Sequence, residues 1–252
     1  MAVTTTALPN LPVLRSEWIK IRSARSVLAS LAAVFVATAG VTVLTAAAIG
    51  TSEPDALGPD RLLGAFFGIN FGQIAAIAFG ATAFAGEFRE GALRVSLTAV
   101  PNRTRLYLSK VVTVAMLSLV VGQITGVVTF LGGQALMGQY ALDLGDPGTL
   151  RAVFGSGIYL TLIALLSAGL TALTRSGTLV MGLLIPLLLI VPFVVGEVSG
   201  GAGEFMPDRA GQLVMRLETD GLLGPWSGLG VTALWALVAL TAGWIAVRRR
   251  PA

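Results

Sequence analysis

Residues 86–110 read GEFREGALRVSLTAVPNRTRLYLSK and hold five of the chain's 17 basic residues: Arg89, Arg94, Arg103, Arg105 and Lys110. Long apolar segments flank this stretch, at 62–85 and 108–137. Apolar runs of about 18 residues or more have the length of a helix crossing ~30 Å of hydrocarbon. A strongly basic loop joining two of them belongs on the cytoplasmic side. The order of its residues also suits a surface that receives force from a partner.

Outward from this loop the composition agrees. Of 252 residues, 55% are hydrophobic and 12% are charged, where a soluble domain carries roughly 25% charged residues. The mean hydropathy is +0.84. Each uncharged run must satisfy its own backbone hydrogen bonds in lipid, which selects helices, and the alternation of a barrel strand is absent. The expected fold is therefore all-α and polytopic, with six transmembrane helices at 27–49, 62–85, 108–137, 153–173, 179–195 and 226–247. The third segment is longer than one crossing needs, so it tilts or projects beyond the bilayer. Residues 1–26 form a cytoplasmic tail and interfacial helix, and 27–252 the six-span domain.

Charge fixes the orientation. With the N-terminus in the cytoplasm, 13 basic residues fall inside and four, Arg61, Arg151, Arg209 and Arg216, fall outside. That asymmetry places both termini in the cytoplasm. Ten of the 13 acidic residues fall outside, in agreement. The pI near 10.1 follows from topology signals and attraction to anionic lipid, and nucleic acid is not an expected partner. The chain has no cysteine and no histidine, which excludes thiolate catalysis, disulfides, Cys/His metal sites and histidine proton relays.

Before the first span, Leu11, Leu14, Trp18 and Ile21 recur at helical spacing among Arg15, Lys20, Arg22 and Arg25. This predicts a basic amphipathic helix over 11–25 lying in the inner interface, with Trp18 at the boundary. In the long outer loop at 196–225, Asp208 is placed to cap a helix over 209–218, with Leu213, Val214 and Leu217 on its apolar side. Such a helix would rest on the outer face or dip back among the spans.

No phosphate-binding GxxxxGK[ST] loop is present, nor a metal-ligand cluster or a Ser/His/Asp set. Ionisable residues are almost absent from the spans, which argues against an autonomous ion-driven carrier. Gly64, Gly68 and Gly72 recur at four-residue spacing, with Ala76 and Gly80 continuing the row; small residues let helices approach closely. Asn70, Gln73, Gln123 and Gln134 are polar at depth and serve either as interhelical glue or as pathway lining. Pro186 and Pro192 should bend the fifth span.

Within the basic loop, Glu87, Arg89, Glu90 and Arg94 are spaced to pair across a helical turn. Phe88, Leu93, Val95 and Leu97 supply apolar knobs, Gly91 allows close approach, and Pro101-Asn102 makes a turn. A short helix of this kind can dock into a groove on a soluble partner. Gly86-Glu87, Glu90-Gly91-Ala92-Leu93-Arg94, Thr98, Pro101, Arg103 and Lys110 resemble the permease subunits of ABC exporters of the type-2 export family. Ala92 stands where that family usually has Thr. Glu17, Lys20 and Ser26 resemble the pattern that precedes the family's first span.

The resemblance implies a six-span permease without an active site or bound cofactor. A separate ABC ATPase, using ATP and Mg²⁺, would press on a cytoplasmic coupling helix comprising Glu87, Phe88, Arg89, Glu90, Gly91, Leu93, Arg94, Pro101 and Arg103. The interfacial helix, through Glu17, Trp18 and Lys20, would brace that contact. The chain would work with a second permease copy or homologue in a bacterial inner membrane, exporting a hydrophobic or amphipathic small molecule such as a drug, antibiotic or lipid. Alternatives are an ion-coupled secondary transporter and a non-transporting scaffold or sensor partner.

Overall fold

Long apolar segments in this chain satisfy their backbone groups internally, and every one that the structure describes is a helix. The computed structural model describes Ser16 and residues 18–21, 23–49, 60–88, 102–190, 202–219 and 221–249; among these there is no strand. The long helices are α1 (Arg25–Ile49), α2 (Ile69–Ala85), α3 (Arg103–Gln134), α4 (Thr149–Thr174), α5 (Gly177–Leu189) and α6 (Pro225–Arg249). Among the described residues, five segments are long and apolar enough to cross a membrane: α1, α2 with its extension to Phe88, α3, α4 and α6. The protein is a multi-pass membrane protein.

α4 is the central helix, with 72% of its apolar window buried against 33% in α1, α3 and α6. It packs on α2, α3 and α6, while α1 packs on α2 and α3. Small residues bring the backbones together, since apolar side chains alone gain little by leaving lipid. A side chain on Gly72 would collide with Thr38 of α1, and one on Gly80 with the Ala164 carbonyl of α4. Hydroxyls add glue where the helices touch: Ser167 Oγ donates to the Ile77 carbonyl at 2.7 Å.

Four boundaries differ from the sequence reading. The second span, predicted as one helix over 62–85, is broken: a turn of helix at Arg61–Gly64 is followed by turns, and α2 starts at Ile69. The physical cause is that the Gly68 amide donates to Thr42 Oγ1 at 2.9 Å, outside the helical ladder. The third span starts earlier than predicted, at Arg103, because Asn102 caps it by accepting from the Arg105 amide. The span predicted over 179–195 is seen only as the 13-residue α5, with Pro186 inside it; 191–201, including Pro192, lie outside the described residues.

The fourth difference is in the long loop. Asp208 does not cap a helix over 209–218. It sits inside a shorter helix, Pro207–Gln212, preceded by Met206 as N-cap and followed by a 3-10 turn at Leu213–Met215. Tertiary contacts stop the helix early, because Val214 and Met215 turn inward and are fully buried, whereas Leu217 is exposed. Thr232 Oγ1 of α6 donates to the Pro207 carbonyl at 2.9 Å, and Arg151 of α4 donates to the Val214 carbonyl. The segment thus plugs the end of the bundle between α2, α4 and α6.

Candidate functional site

The bundle has a basic end, where α2 finishes and α3 begins, and an acidic end closed by the 202–219 segment. At the basic end Glu87 emerges from a 3-10 turn, Gly86–Phe88, that extends α2. Its carboxylate is buried and accepts from Lys110 Nζ at 2.6 Å and from Lys20 Nζ at 3.1 Å, both at Oε1. Lys110 lies in the second turn of α3 and is slightly more buried than Glu87, while the Lys20 side chain is 41% exposed. One carboxylate therefore joins the helix before α1, the end of α2 and the start of α3. Buried charges are tolerated only when paired in this way. Lys110 also lies 5.8 Å from the centre of the Phe84 ring, whose edge meets Tyr107.

The two ends of the 86–110 stretch are anchored to other helices. Phe88 packs against the core and carries the Arg175 guanidinium 5.9 Å from its ring centre. Arg175 adopts a left-handed conformation, φ 58°, at the C-cap of α4. On the α3 side, Arg103 donates to the Val247 carbonyl at 3.1 Å, Tyr107 to the Leu240 carbonyl at 2.8 Å, and Trp244 Nε1 to Thr104 Oγ1 at 3.1 Å. The start of α3 is thus bolted to the last turns of α6. These side chains tie together the N-terminal helix, α2, α3, α4 and α6.

Of the predicted loop residues, the structure brings Glu87, Phe88 and Arg103 into this junction. Arg89, Glu90, Gly91, Leu93, Arg94 and Pro101 lie outside the described residues, as does Glu17. Ser16, residues 18–21 and Ser23 are helical, with a break at Ala24. Ile21 is buried against the protein, and Trp18 and Ile19 are exposed. Sequence reasoning misses the pairing of Lys110 with Glu87. The signal that points to it is a lysine inside an apolar segment, since a buried lysine requires a carboxylate.

The four amides part company. Gln123 Nε2 donates to the Phe154 carbonyl at 3.0 Å, where α3 and α4 touch at Gly122 and Gly157. Gln134 Oε1 accepts from the Leu142 amide at 2.7 Å and fixes the following loop. Gln123 thus bridges two helices, and Gln134 bonds within its own hairpin. Asn70 and Gln73 instead join a polar chain at the acidic end: Gln212 Nε2 donates to Asn70 Oδ1 at 3.2 Å, and the Tyr159 hydroxyl donates to Gln73 Oε1. Beside them opens a cavity of ≈ 540 Å³ lined by Asn70, Gln212, Asp208, Glu204 and several leucines. Burial pushes the Asp208 carboxyl up to about 6, partly offset by the Arg209 amide.

Among the described residues no group of three or more His, Cys, Asp or Glu side chains could hold a metal ion. A comparison with curated proteins finds no match. Residues 13–197, well over half of the chain, match the family described as ABC-2 family transporter protein. The matched region contains the whole basic-end junction apart from the α6 contacts, and with five apolar helices around it the chain belongs to the ABC-2 family of transporter membrane proteins.

Proposed function

We propose that this chain is the permease half of an ATP-driven exporter, with six spans and both termini in the cytoplasm of a bacterial inner membrane. Two permease copies, or this chain and a homologue, would enclose the pathway. A separately encoded ABC ATPase would bind below and supply the energy, using ATP and Mg²⁺. The observation that carries this reading is the junction at Glu87. A push on the 89–101 loop reaches α2 and the N-terminal helix through Glu87 and Lys20, α3 through Lys110, and α6 through Arg103. The family membership supports it. In this reading the loop 89–101 carries the ATPase-docking helix, and Leu93 and Arg94 meet the partner. The cargo is a hydrophobic or amphipathic small molecule, and the chain itself carries no active site.

Reconstitution tests the reading. Vesicles holding this chain and its genomically neighbouring ATPase should accumulate dye-like cargo with ATP and not with a non-hydrolysable analogue. Transport by the chain alone down a proton or sodium gradient would replace the exporter reading with a secondary carrier. Failure of any ATPase to co-purify would favour a scaffold.

A further inference from the structure

Between α4 and α5 the chain reverses within two residues, Arg175 and Ser176. Both helix ends are closed: the Arg175 amide donates to the Thr171 carbonyl at 2.8 Å, and Ser176 Oγ accepts from the Leu179 amide at 3.3 Å. The reversal passes through the left-handed region at Arg175, with φ 58° and ψ 18°. Among the described residues, Arg175 is alone in having a positive φ without being glycine. Glycine commonly ends a helix in this conformation, because a Cβ there crowds the following carbonyl. The glycine two residues on stands where packing needs it: a Cβ on Gly177 would come within 3.0 Å of the Ala85 side chain and 3.2 Å of the Ala81 carbonyl. Arginine therefore occupies the position that the backbone would give to glycine.

Strain of this kind persists where surrounding contacts over-determine the residue. The contact here is with Phe88. The Arg175 guanidinium lies 5.9 Å from the ring centre, within cation–π range, and its Nε is buried. Phe88 ends the turn that extends α2 and packs on the core, one residue before the 89–101 stretch. We infer that Arg175 is a positioning residue: its guanidinium holds the Phe88 ring, and so sets the direction in which the 89–101 loop leaves α2. A glycine would relax the end of α4 and lose that hold. A positive charge at the C-terminal end of a helix is favourable by itself, but an arginine in the preceding turn would supply it without strain. Positioning of the loop stands on this contact; its consequence for coupling to an ATPase rests on the exporter reading.

Two variants separate side chain from backbone. Arg175→Ala removes the guanidinium and keeps a Cβ on the left-handed residue, whereas Arg175→Gly removes both. The full chain in nanodiscs carries a nitroxide at Ala92→Cys, and spin-label mobility is read beside the melting temperature. Both variants should raise the mobility of the loop label at least twofold, and leave a label at Asp143→Cys unchanged. Arg175→Gly should nevertheless melt about 2–4 °C above Arg175→Ala, because the left-handed strain is relieved. In a Phe88→Ala background, Arg175→Gly should add no further mobility. Unchanged loop mobility in both variants overturns the inference. So does mobility that follows melting temperature, or a further gain without Phe88. With an ATPase reconstituted, both variants should lower transport per ATP hydrolysed at least threefold. A wild-type chain without ATP-driven transport would overturn the exporter reading alone; full transport per ATP despite a loosened loop would overturn the coupling consequence alone.

Discussion

Glu87 and Lys110 are 23 residues apart in the chain and 2.6 Å apart in space, carboxylate to ammonium, with both side chains buried. The pair ties the end of α2 to the second turn of α3. Lys20 reaches the same carboxylate oxygen from the other side. The two lysines differ in exposure, and that difference makes their contributions separable.

Lys110→Ala takes the buried ammonium away from the Glu87 carboxylate, which keeps the half-exposed Lys20. Breaking a buried pair from one side commonly costs about 3–5 kcal/mol, so this variant should unfold at a clearly lower temperature in detergent. Lys20 is partly exposed, and pairs of that kind are worth about 0–1 kcal/mol; Lys20→Ala should unfold close to wild type. Thermal unfolding followed by tryptophan fluorescence measures both. Equal losses for the two would mean that Lys110 is not the principal partner of Glu87.

Close helix contacts give a second contrast. A Cβ on Gly80 would meet the Ala164 backbone, so Gly80→Ala must push α2 from α4. Overpacking of this kind costs roughly 1–3 kcal/mol. Gly230 on α6 has nothing within 4 Å of the place a Cβ would occupy. Gly230→Ala should be neutral or stabilising by up to about 1 kcal/mol, since alanine loses less backbone freedom in a helix. Denaturant titration of the two variants ranks them, and a Gly80→Ala variant as stable as wild type would refute the tight crossing.

The small-residue row on the second span and the apolar runs were legible because they are local patterns, and both appear as helices and helix crossings. The same local logic failed at Gly68, whose amide is taken by Thr42, a residue on another helix. It failed again at Asp208, where the pattern of a cap preceded residues that the tertiary structure turns inward. Among the amides, sequence could say that Gln73 and Gln134 were polar at depth, but not which would meet Tyr159 and which a loop amide. Lys110 was legible as part of a family-like pattern, and its partner was not, because the pairing spans the loop.

Asp208 gives a pH-dependent prediction. Its carboxyl titrates near 6 in the fold and about 3.9 when unfolded. Between these values the folded state holds the extra proton, so stability rises as pH falls from about 6 toward 4, and falls as pH rises through the same window. Above pH 6 the buried charge costs on the order of 3 kcal/mol, each tenfold change in proton affinity being worth about 1.4 kcal/mol. Asp208→Asn should therefore be more stable than wild type at pH 7.5 and nearly equal to it at pH 4. Melting temperatures across that range test this, and a pH-independent difference would remove the titration from Asp208.

The proposed orientation, with both termini in the cytoplasm, rests on the uneven split of basic residues, 13 against four, between the two sides it assigns. The chain lacks cysteine, so single cysteines can be introduced without background. Cysteines at Thr51, Asp143 and Gly203 should label with an impermeant maleimide added to intact cells, and those at Asn102 and Ser176 only after permeabilisation. Labelling of Asn102 from outside would invert the map and remove the loop from any cytoplasmic ATPase.

The exporter reading places force transfer at the loop that starts with Phe88. That ring is partly buried against the protein's own core and beneath Arg175, so Phe88→Ala should loosen the root of the loop. Leu93 lies farther along, in the stretch expected to meet the ATPase. Truncated apolar anchors in a packed interface commonly cost about 2 kcal/mol or more, whereas exposed charges contribute about 0–1 kcal/mol. Leu93→Ala should therefore lower ATPase co-purification at least tenfold while thermal stability stays at wild type, and Arg94→Ala should lower it less. Phe88→Ala should lower stability as well as ATP-driven transport, because its contacts lie within this chain. Membrane insertion should be intact in all three. If Leu93→Ala retains full partner binding and transport, the loop sets topology and does not couple ATP hydrolysis to the bundle.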